Sequence, residues 1–159
     1  MANVTVISVG TLKEGYLREA VAEYKKRLSQ YARVEEIELK EERINDEDNR
    51  AEIEAALSRE ADKILAAIPK DSLKIALCVE GKQYTSEELS RLIGDGCDRG
   101  GKIALVIGSS YGLSEKVKKE CDIRLSFSKL TFPHQLMKVI LFESLYRSFT
   151  ILAGKRYHK

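Results

Sequence analysis

The chain has 159 residues, of which 43% are hydrophobic and 33% are charged, and its net charge is only +2. This balance predicts a single globular domain over residues 1–159 and excludes both an intrinsically disordered chain and a protein that is basic over its whole surface. The longest apolar run, Val139 to Phe142, is far shorter than the roughly 20 residues that span a membrane, and Met1 to Gly10 lacks the basic start of a signal peptide, so we expect a soluble cytoplasmic protein with no membrane partner.

The first half of the chain predicts two strands and two helices. A β-branched run from Asn3 to Val9 predicts a strand, and an apolar stripe at helical spacing predicts a helix from Lys13 to Tyr31. Arg33 to Leu39 alternates apolar and charged residues, which is typical of a more exposed strand. A second apolar stripe predicts a long helix from Asp46 to Ala67, which Pro69 ends.

The second half predicts three strands and three helices in alternation. We expect strands over Ser72 to Val79, Lys102 to Ile107 and Ile123 to Phe127, and helices over Ser86 to Cys97, Ser114 to Glu120 and from Pro133 onward. Thr85 is placed to cap one of these helices, and Gly154 lies near the end of the last. Strands that alternate with helices predict an α/β fold with a mainly parallel sheet and helices on both faces.

The last helix carries apolar residues on more than one face. One face can pack on the sheet, whereas the other needs a second partner. A helix buried on all sides is hard to realise in so small a domain, and a symmetric dimer is the commonest source of such a partner. We therefore expect a homodimer. The residues concerned are Leu136, Met137, Val139, Ile140, Leu141, Phe142, Leu145, Tyr146, Phe149, Ile151 and Leu152.

The cysteines and histidines do not indicate a metal site. Cys78, Cys97 and Cys121 are far apart in sequence, so neither a disulfide framework nor a zinc site is suggested, and we expect small buried hydrophobes in a reducing compartment. The two histidines, His134 and His158, have no carboxylate pattern between them. We expect no bound metal.

The charges are distributed unevenly along the chain. From Glu35 to Asp62 there are twelve acidic residues against four basic ones, whereas from Lys129 to Lys159 there are six basic residues and one acidic residue. A local basic patch on a nearly neutral protein is typical of a polyanion site. We expect Lys129 and Lys138 to contact phosphate groups.

Ligands of parallel sheets bind beyond the carboxyl ends of the strands, which directs attention to three loops. The first is Glu80-Gly81-Lys82, and the second runs from Gly108 to Gly112. Its glycine spacing fits neither a phosphate-binding Walker loop nor the dinucleotide fingerprint, so it is either a structural turn or a site where a ligand approaches the backbone. The third loop, Ser128 to Pro133, joins a strand to a helix with hydroxyls, one lysine and flanking aromatics.

Several stretches along the whole chain match one known family. With them the chain resembles the ribosomal RNA large subunit methyltransferase H family, pseudouridine N3-methyltransferases of the SPOUT class. The most specific stretch is LSFSKLTFPHQ, and the glycine loop alone is not specific. The matching residues are Val9-Gly10 with Leu12-Lys13, Leu77 to Gly81 with Lys82, Ser86 and Glu87, Val106-Ile107-Gly108 with Gly112-Leu113, Leu125 to Gln135, and Tyr157-His158-Lys159.

The resemblance implies S-adenosylmethionine as cofactor and a C-terminal trefoil knot. It also implies 23S ribosomal RNA as substrate, with methylation on the assembled ribosome. Family members usually carry a second glycine in the loop, with Asn or Glu before its last glycine, where this chain has Ser109 and Tyr111. The cofactor contacts that the resemblance implies are Leu77, Gly108, Phe127, Ser128, Lys129, Leu130, Thr131 and Phe132.

The resemblance places the C-terminal tail in the active site, reaching across the dimer toward the partner's cofactor. Tyr157, His158 and Lys159 are the implied catalytic residues. Because N3 of a pseudouridine must lose its proton before it accepts a methyl group, we expect Arg156 and Lys159 to stabilise the developing negative charge. His158 is a candidate base, with water or hydroxide as the alternative.

Two other classes stay open on the sequence alone. One is a non-catalytic RNA-binding module on the same fold, and the other is a small-ligand-binding regulator of flavodoxin type. Binding of S-adenosylmethionine separates the enzyme from both, and transfer of its methyl group to ribosomal RNA separates catalysis from binding.

Overall fold

Ten elements alternate along the computed structural model, which describes all 159 residues. The strands are β1 (Ala2–Val9), β2 (Ala32–Leu39), β3 (Leu73–Gln83), β4 (Lys102–Ile107) and β5 (Ile123–Ser126). The helices are α1 (Gly15–Leu28), α2 (Arg50–Ala67), α3 (Ser86–Asp98), α4 (Glu115–Glu120) and α5 (His134–Leu152). Every strand and helix expected from the sequence is present.

The five strands form one sheet in the order β2-β1-β4-β3-β5, and every neighbouring pair is parallel. The α/β architecture with a parallel sheet is therefore confirmed. Ile103 to Ile107 of β4 are buried, which explains their continuous apolar run, because a central parallel strand is covered on both faces. β2 lies at an edge of the sheet, in agreement with its alternating and more exposed sequence.

Helices cover both faces of the sheet. α1, α3 and α5 pack on one face around an 18-residue core that includes Val6, Leu105 and Phe142. α2 and α4 pack on the other face around a smaller core of 8 residues that includes Val106 and Ile64. α5 contacts both α1 and α3, so it lies between them.

Several helix ends differ from the sequence prediction for local reasons. α1 is shorter at both ends than predicted. α2 begins at Arg50 instead of Asp46, because the Asn49 side chain accepts a hydrogen bond from the Glu52 amide and caps the helix there. Pro133 directly precedes α5 instead of forming its first residue. The cap at Thr85 is confirmed, and Glu88 completes a capping box.

β3 is longer than predicted because it leaves the ladder and then returns. Leu77 and Lys82 both pair with Leu125 of β5, so residues 78–81 stand out from the sheet between two pairings with the same residue. The predicted end at Val79 falls inside this excursion. On the return, an added Cβ at Gly81 would lie 2.7 Å from the carbonyl carbon of Arg124, which leaves room only for glycine.

Lys138 is buried and is not available for the phosphate contact that the sequence predicts. The residue is 3% exposed, and its ammonium pairs with Glu36 at 2.9 Å and with Glu38 at 3.4 Å. Glu36 also pairs with Lys25 of α1. The predicted RNA contact of Lys138 is wrong, because its charge is already neutralised inside the protein, where it joins α5 to β2.

None of the five helices combines the length and the apolar character that crossing a bilayer requires. Cys78, Cys97 and Cys121 are free thiols, and each is half-buried instead of fully buried.

The close approach at Gly81 generates the first prediction. Gly81→Ala is expected to lower the free energy of unfolding by about 2–3 kcal/mol, because the new methyl group must displace the backbone of β5. Gly15→Ala is the matched control, since an added Cβ at Gly15 makes only an ordinary contact at 3.7 Å with the Arg18 side chain. Urea unfolding of both variants checks this, and equal stability of the two would contradict it.

Candidate active site

The loops that follow β3, β4 and β5 meet around a cavity of about 270 Å³, called here the three-loop cavity. This volume is just below the range of about 300–1,000 Å³ that is usual for small-molecule sites. The site lies beyond the carboxyl ends of the strands, as expected for a parallel sheet. Its lining comprises residues 77–80, 107–113, 125–128 and 130–132, with Lys118, His134 and Met137.

The structure brings most of the expected cofactor residues together. Leu77, Gly108, Phe127, Ser128, Leu130, Thr131 and Phe132 line the cavity, whereas Lys129 does not and is exposed beside it. Leu130 is 69% exposed and Val79 is 52% exposed. Large apolar side chains left exposed at the rim of a cavity are typical of a ligand-contacting surface.

The first wall of the cavity is the excursion of β3. It presents Cys78, Val79 and Glu80 to the cavity, and the Lys118 ammonium from α4 forms an ion pair with Glu80. This hydrogen-bonded cation holds the pKa of Glu80 below its ordinary value. The sequence analysis does not identify Lys118, because the pattern of a short helix does not show which of its lysines faces the sheet.

The second wall is the glycine loop, residues 108–112. Its two glycines are needed for different reasons: an added Cβ at Gly108 would overlap the carbonyl of Gly112, whereas Gly112 has a φ of +84° and open space around it. The Ser109 hydroxyl accepts a hydrogen bond from the Tyr111 amide at 3.3 Å. The loop therefore closes on itself and leaves its backbone beside the cavity.

Serine hydroxyls organise the third wall, residues 126–133. The Ser126 hydroxyl donates to the Ser128 carbonyl at 3.1 Å, and the Ser128 hydroxyl accepts from the Leu130 amide at 3.0 Å. These local bonds satisfy backbone groups that have no strand or helix partner. The loop is thus fixed by its own side chains and keeps its apolar residues available to a ligand.

The first turn of α5 closes the cavity from the side of α1. The Gln135 side chain accepts a hydrogen bond from the Lys13 amide at 3.3 Å, and His134 Nε2 lies 3.5 Å from the position of an added Cβ at Gly10. His134 lines the cavity. The sequence reading did not assign it a role, although it stands inside the most specific matching stretch.

The terminal tail, residues 155–159, is outside the three-loop cavity and is partly docked on the same subunit. Tyr157 packs edge-to-face on Tyr146 at 4.8 Å between ring centroids, and its hydroxyl donates to Glu143 at 3.2 Å. Burial, followed by the charge of Glu143, raises the pKa of Tyr157 to about 12. Tyr157 is therefore a neutral hydrogen-bond donor at neutral pH and not a base. Lys159 and Arg156 are exposed.

His158 has a partner at each ring nitrogen. Nε2 lies 2.8 Å from Glu87 Oε1 of α3, and Nδ1 lies 3.3 Å from the Arg147 guanidinium of α5. Because a guanidinium can only donate, Nδ1 accepts the hydrogen bond from Arg147. Nε2 therefore carries the proton and donates a hydrogen bond to Glu87. The tail is consequently held at its histidine by two helices.

A second cavity of about 110 Å³ lies beside the docked tail. Its lining includes Glu143 and Arg147, which hold the tail, and Phe127, which also lines the three-loop cavity. Phe127 is therefore part of the wall of both cavities. No cluster of three or more His, Cys, Asp or Glu side chains is placed to hold a metal ion.

The three-loop cavity fits S-adenosylmethionine by its chemistry. Its walls are loop backbone and apolar side chains, which suit a neutral adenine, and open space at Gly112 leaves the backbone accessible. It contains no ring of basic side chains of the kind that a phosphate-rich cofactor requires, since Lys118 is its only Lys or Arg and is paired with Glu80.

Comparison with known proteins gives consistent results. Residues 2–158 match the family described as predicted SPOUT methyltransferase. The chain is 48% identical over 158 residues to ribosomal RNA large subunit methyltransferase H of Shouchella clausii, with 99% of each chain covered. It is 46% identical to the protein of the same name from Caldicellulosiruptor saccharolyticus, over 98% of this chain and 99% of that one. Among solved structures, a probable methyltransferase from Bordetella pertussis has the same fold, with a TM-score of 0.56 at 16% identity over 93% of this chain and 96% of that chain.

Proposed function

The chain belongs to the SPOUT methyltransferases and, among them, to the ribosomal RNA large subunit methyltransferase H family, and from this premise we propose that it methylates N3 of a pseudouridine in 23S ribosomal RNA. The proposed methyl donor is S-adenosylmethionine, and the proposed substrate is the RNA on the assembled ribosome. The names of the relatives support ribosomal RNA as the substrate class. The choice of a pseudouridine, and of its N3 atom, within that RNA is part of our proposal.

The observation that carries the proposal is the three-loop cavity, in which seven of the eight implied cofactor contacts meet. When bound there, S-adenosylmethionine supplies a methyl group activated by a sulfonium. The residues of the chain bind and orient the cofactor: Leu77, Phe127 and Leu130 offer apolar contact, and the glycine loop offers backbone groups. Lys129, exposed beside the cavity, is assigned to RNA phosphate as well as to the cofactor rim.

The tail is proposed to act on the nucleobase. N3 of a pseudouridine must lose a proton, and the negative charge that develops on the base is stabilised by nearby cations. Arg156 and Lys159 are exposed and supply that charge. His158 is the proposed base, with water or hydroxide as the alternative acceptor, and its Nδ1 is free to accept a proton only when Arg147 releases it.

We further propose that the active protein is a homodimer formed through α5. Leu141, Phe142 and Leu145 fill the core, but Leu136 is 38% exposed, and Ile140 and Ile151 on the same side of the helix are only half-buried. These residues form the second apolar face of the helix. Because Tyr157 and His158 dock against α5 and α3, a partner packed on α5 would lie next to the tail, so that the tail faces the partner's three-loop cavity.

The C-terminal trefoil knot is part of the same proposal, within one domain over residues 1–159. It is supported by the close contact beside the cavity between two segments distant in sequence, where Gly81 lies against the backbone of Arg124. Such close packing of the C-terminal half requires a residue without a side chain, and this position is glycine.

Methyl transfer tests the function directly. Ribosomes from a strain that lacks the homologous methyltransferase are incubated with the protein and with S-adenosylmethionine that carries a labelled methyl group. We expect label in 23S RNA, located on N3 of a single pseudouridine by mass spectrometry of the digest. Cofactor binding without transfer would support a non-catalytic RNA-binding module, and no cofactor binding in calorimetry would contradict the proposal.

The role of His158 is tested by substitution. His158→Ala is expected to lower turnover by roughly 10²-fold with cofactor and RNA both saturating, which is the usual contribution of a general base. Lys155→Ala, which changes an exposed residue of the same tail, is the matched control and should keep near-full turnover. Near-full turnover of His158→Ala would assign the proton to water or hydroxide.

The phosphate contact of Lys129 is tested by charge reversal. Lys129→Glu is expected to weaken ribosome binding and to lower the slope of log K against log salt by about 1, as expected for one lost phosphate contact. Lys119→Glu makes the same change of net charge at an exposed position on α4 and should leave the slope unchanged. Equal slopes for the two variants would remove Lys129 from the RNA interface.

A further inference from the structure

Glu60 is a buried carboxyl that the packing of α2 does not require. It is 4% exposed and lies on the face of α2 that packs on the sheet through Ala56, Ala61 and Ile64. Its Oε2 accepts a hydrogen bond from the Glu42 amide at 2.9 Å, whereas its Oε1 has no hydrogen-bond partner. An unpaired polar atom in the interior destabilises a fold, so stability alone does not account for this residue.

The carboxyl lies between two segments, one of which lines the three-loop cavity. One is the acidic segment, residues 40–49, which Glu60 holds through the Glu42 amide. The other is the glycine loop, whose Ser109 hydroxyl lies beside the carboxyl without completing a hydrogen bond to Oε1. Ser109 is 5% exposed and lines the cavity. Ser109 therefore stands between Glu60 and the cavity.

The same two segments also meet at Tyr111. Desolvation and then the Glu47 carboxylate of the acidic segment raise the pKa of the Tyr111 phenol, which lines the cavity. The acidic segment is itself fixed, since the Asn45 and Asp46 amides donate to the Glu52 carboxylate at 2.6 and 3.2 Å. A segment fixed in this way beside the glycine loop can help to set the position of that loop.

We propose that Glu60 is a positioning residue for the methyl donor: its Oε2 holds the acidic segment through the Glu42 amide, and its unpaired Oε1 accepts the Ser109 hydroxyl when the cavity fills, which then fixes the glycine loop. The residue does not touch the cofactor. Oε1 is available for this bond, because a small shift of Ser109 when the cavity fills would let its hydroxyl donate to Oε1. This inference rests on the proposed use of the three-loop cavity for S-adenosylmethionine.

Titration of Glu60 supports this placement. Burial, together with the carboxylates of Glu41 and Glu42, raises the pKa of Glu60 above its ordinary value of 4.5, while the Glu42 amide and the Ser109 hydroxyl oppose the shift. The nearest basic side chains of α2 pair with Glu42 instead, namely Arg59 and Lys63. A carboxyl with a raised pKa in the folded state contributes stability that is lost as the pH rises through that value.

The test separates positioning from stability with two substitutions of similar size. Glu60→Met removes the hydrogen bonds but keeps the volume, so we expect a folded protein at least as stable as the parent at neutral pH. Its dissociation constant for S-adenosylmethionine, measured by calorimetry, should rise roughly tenfold, the effect of one lost hydrogen bond. Turnover at saturating cofactor should stay within about twofold, because the chemistry is untouched.

Glu60→Gln is the conservative variant. It keeps the acceptor for the Glu42 amide and gives Ser109 a donor, so it should restore cofactor binding. At neutral pH it should also be more stable than the parent, because it removes a buried carboxyl whose pKa is raised, and this difference in stability should disappear below about pH 4.5. Glu54→Met and Glu54→Gln, at an exposed position of the same helix, are the matched controls.

Ser109→Ala supplies an independent arm. It should weaken cofactor binding as Glu60→Met does, and the double variant should be no weaker than either single variant, since both remove one interaction. Unchanged cofactor binding in Glu60→Met, or loss of binding that Gln does not restore, would overturn the inference. If the parent protein itself fails to bind S-adenosylmethionine, the proposed function falls and this inference falls with it.

Discussion

Leu125 is paired twice by the same neighbouring strand, first by Leu77 and then by Lys82. The residues between these pairings cannot stay in the ladder, so they stand out at the carboxyl end of the sheet and form one wall of the three-loop cavity. The return of the strand presses Gly81 against the backbone of β5 and fixes the excursion in place. Without this register shift the site would have two walls instead of three.

Buried charge fixes the other side of the site. Lys138 stands just beyond the 126–133 loop on α5, and its pairing with Glu36 and Glu38 ties the start of that helix to the edge strand β2. Removing one partner of such a buried pair leaves an uncompensated charge, so the contact resists displacement. The basic C-terminal end of the chain is thus divided: Lys138 serves the fold, and only the exposed cations remain for the proposed contact with RNA.

The order of the elements could be predicted from the sequence because it depends on local periodicity, as in the uninterrupted apolar run of β4 and the Thr85 cap of α3. The three loops of the site could be located because strand ends share one edge of a parallel sheet. The ionic partners of Lys138 and the ligand-facing position of Lys118 could not be predicted. Both depend on pairings between distant residues, Glu36 in one case and Glu80 in the other, and no local pattern marks them. Glu60 was equally hidden inside an ordinary helical stripe.

The docked tail limits what its histidine can do. Nε2 of His158 donates a hydrogen bond to Glu87, and Nδ1 accepts one from Arg147. Neither nitrogen can therefore accept a proton from a substrate while both hydrogen bonds are present. Arg147 Nη2 also donates a hydrogen bond to Glu143 Oε1 at 2.6 Å, and the same carboxylate accepts a hydrogen bond from the Tyr157 hydroxyl. If His158 is the base proposed above, the guanidinium of Arg147 must leave Nδ1 before that nitrogen can accept a proton. The alignment of the terminal residues thus depends on α3 and α5 of their own subunit.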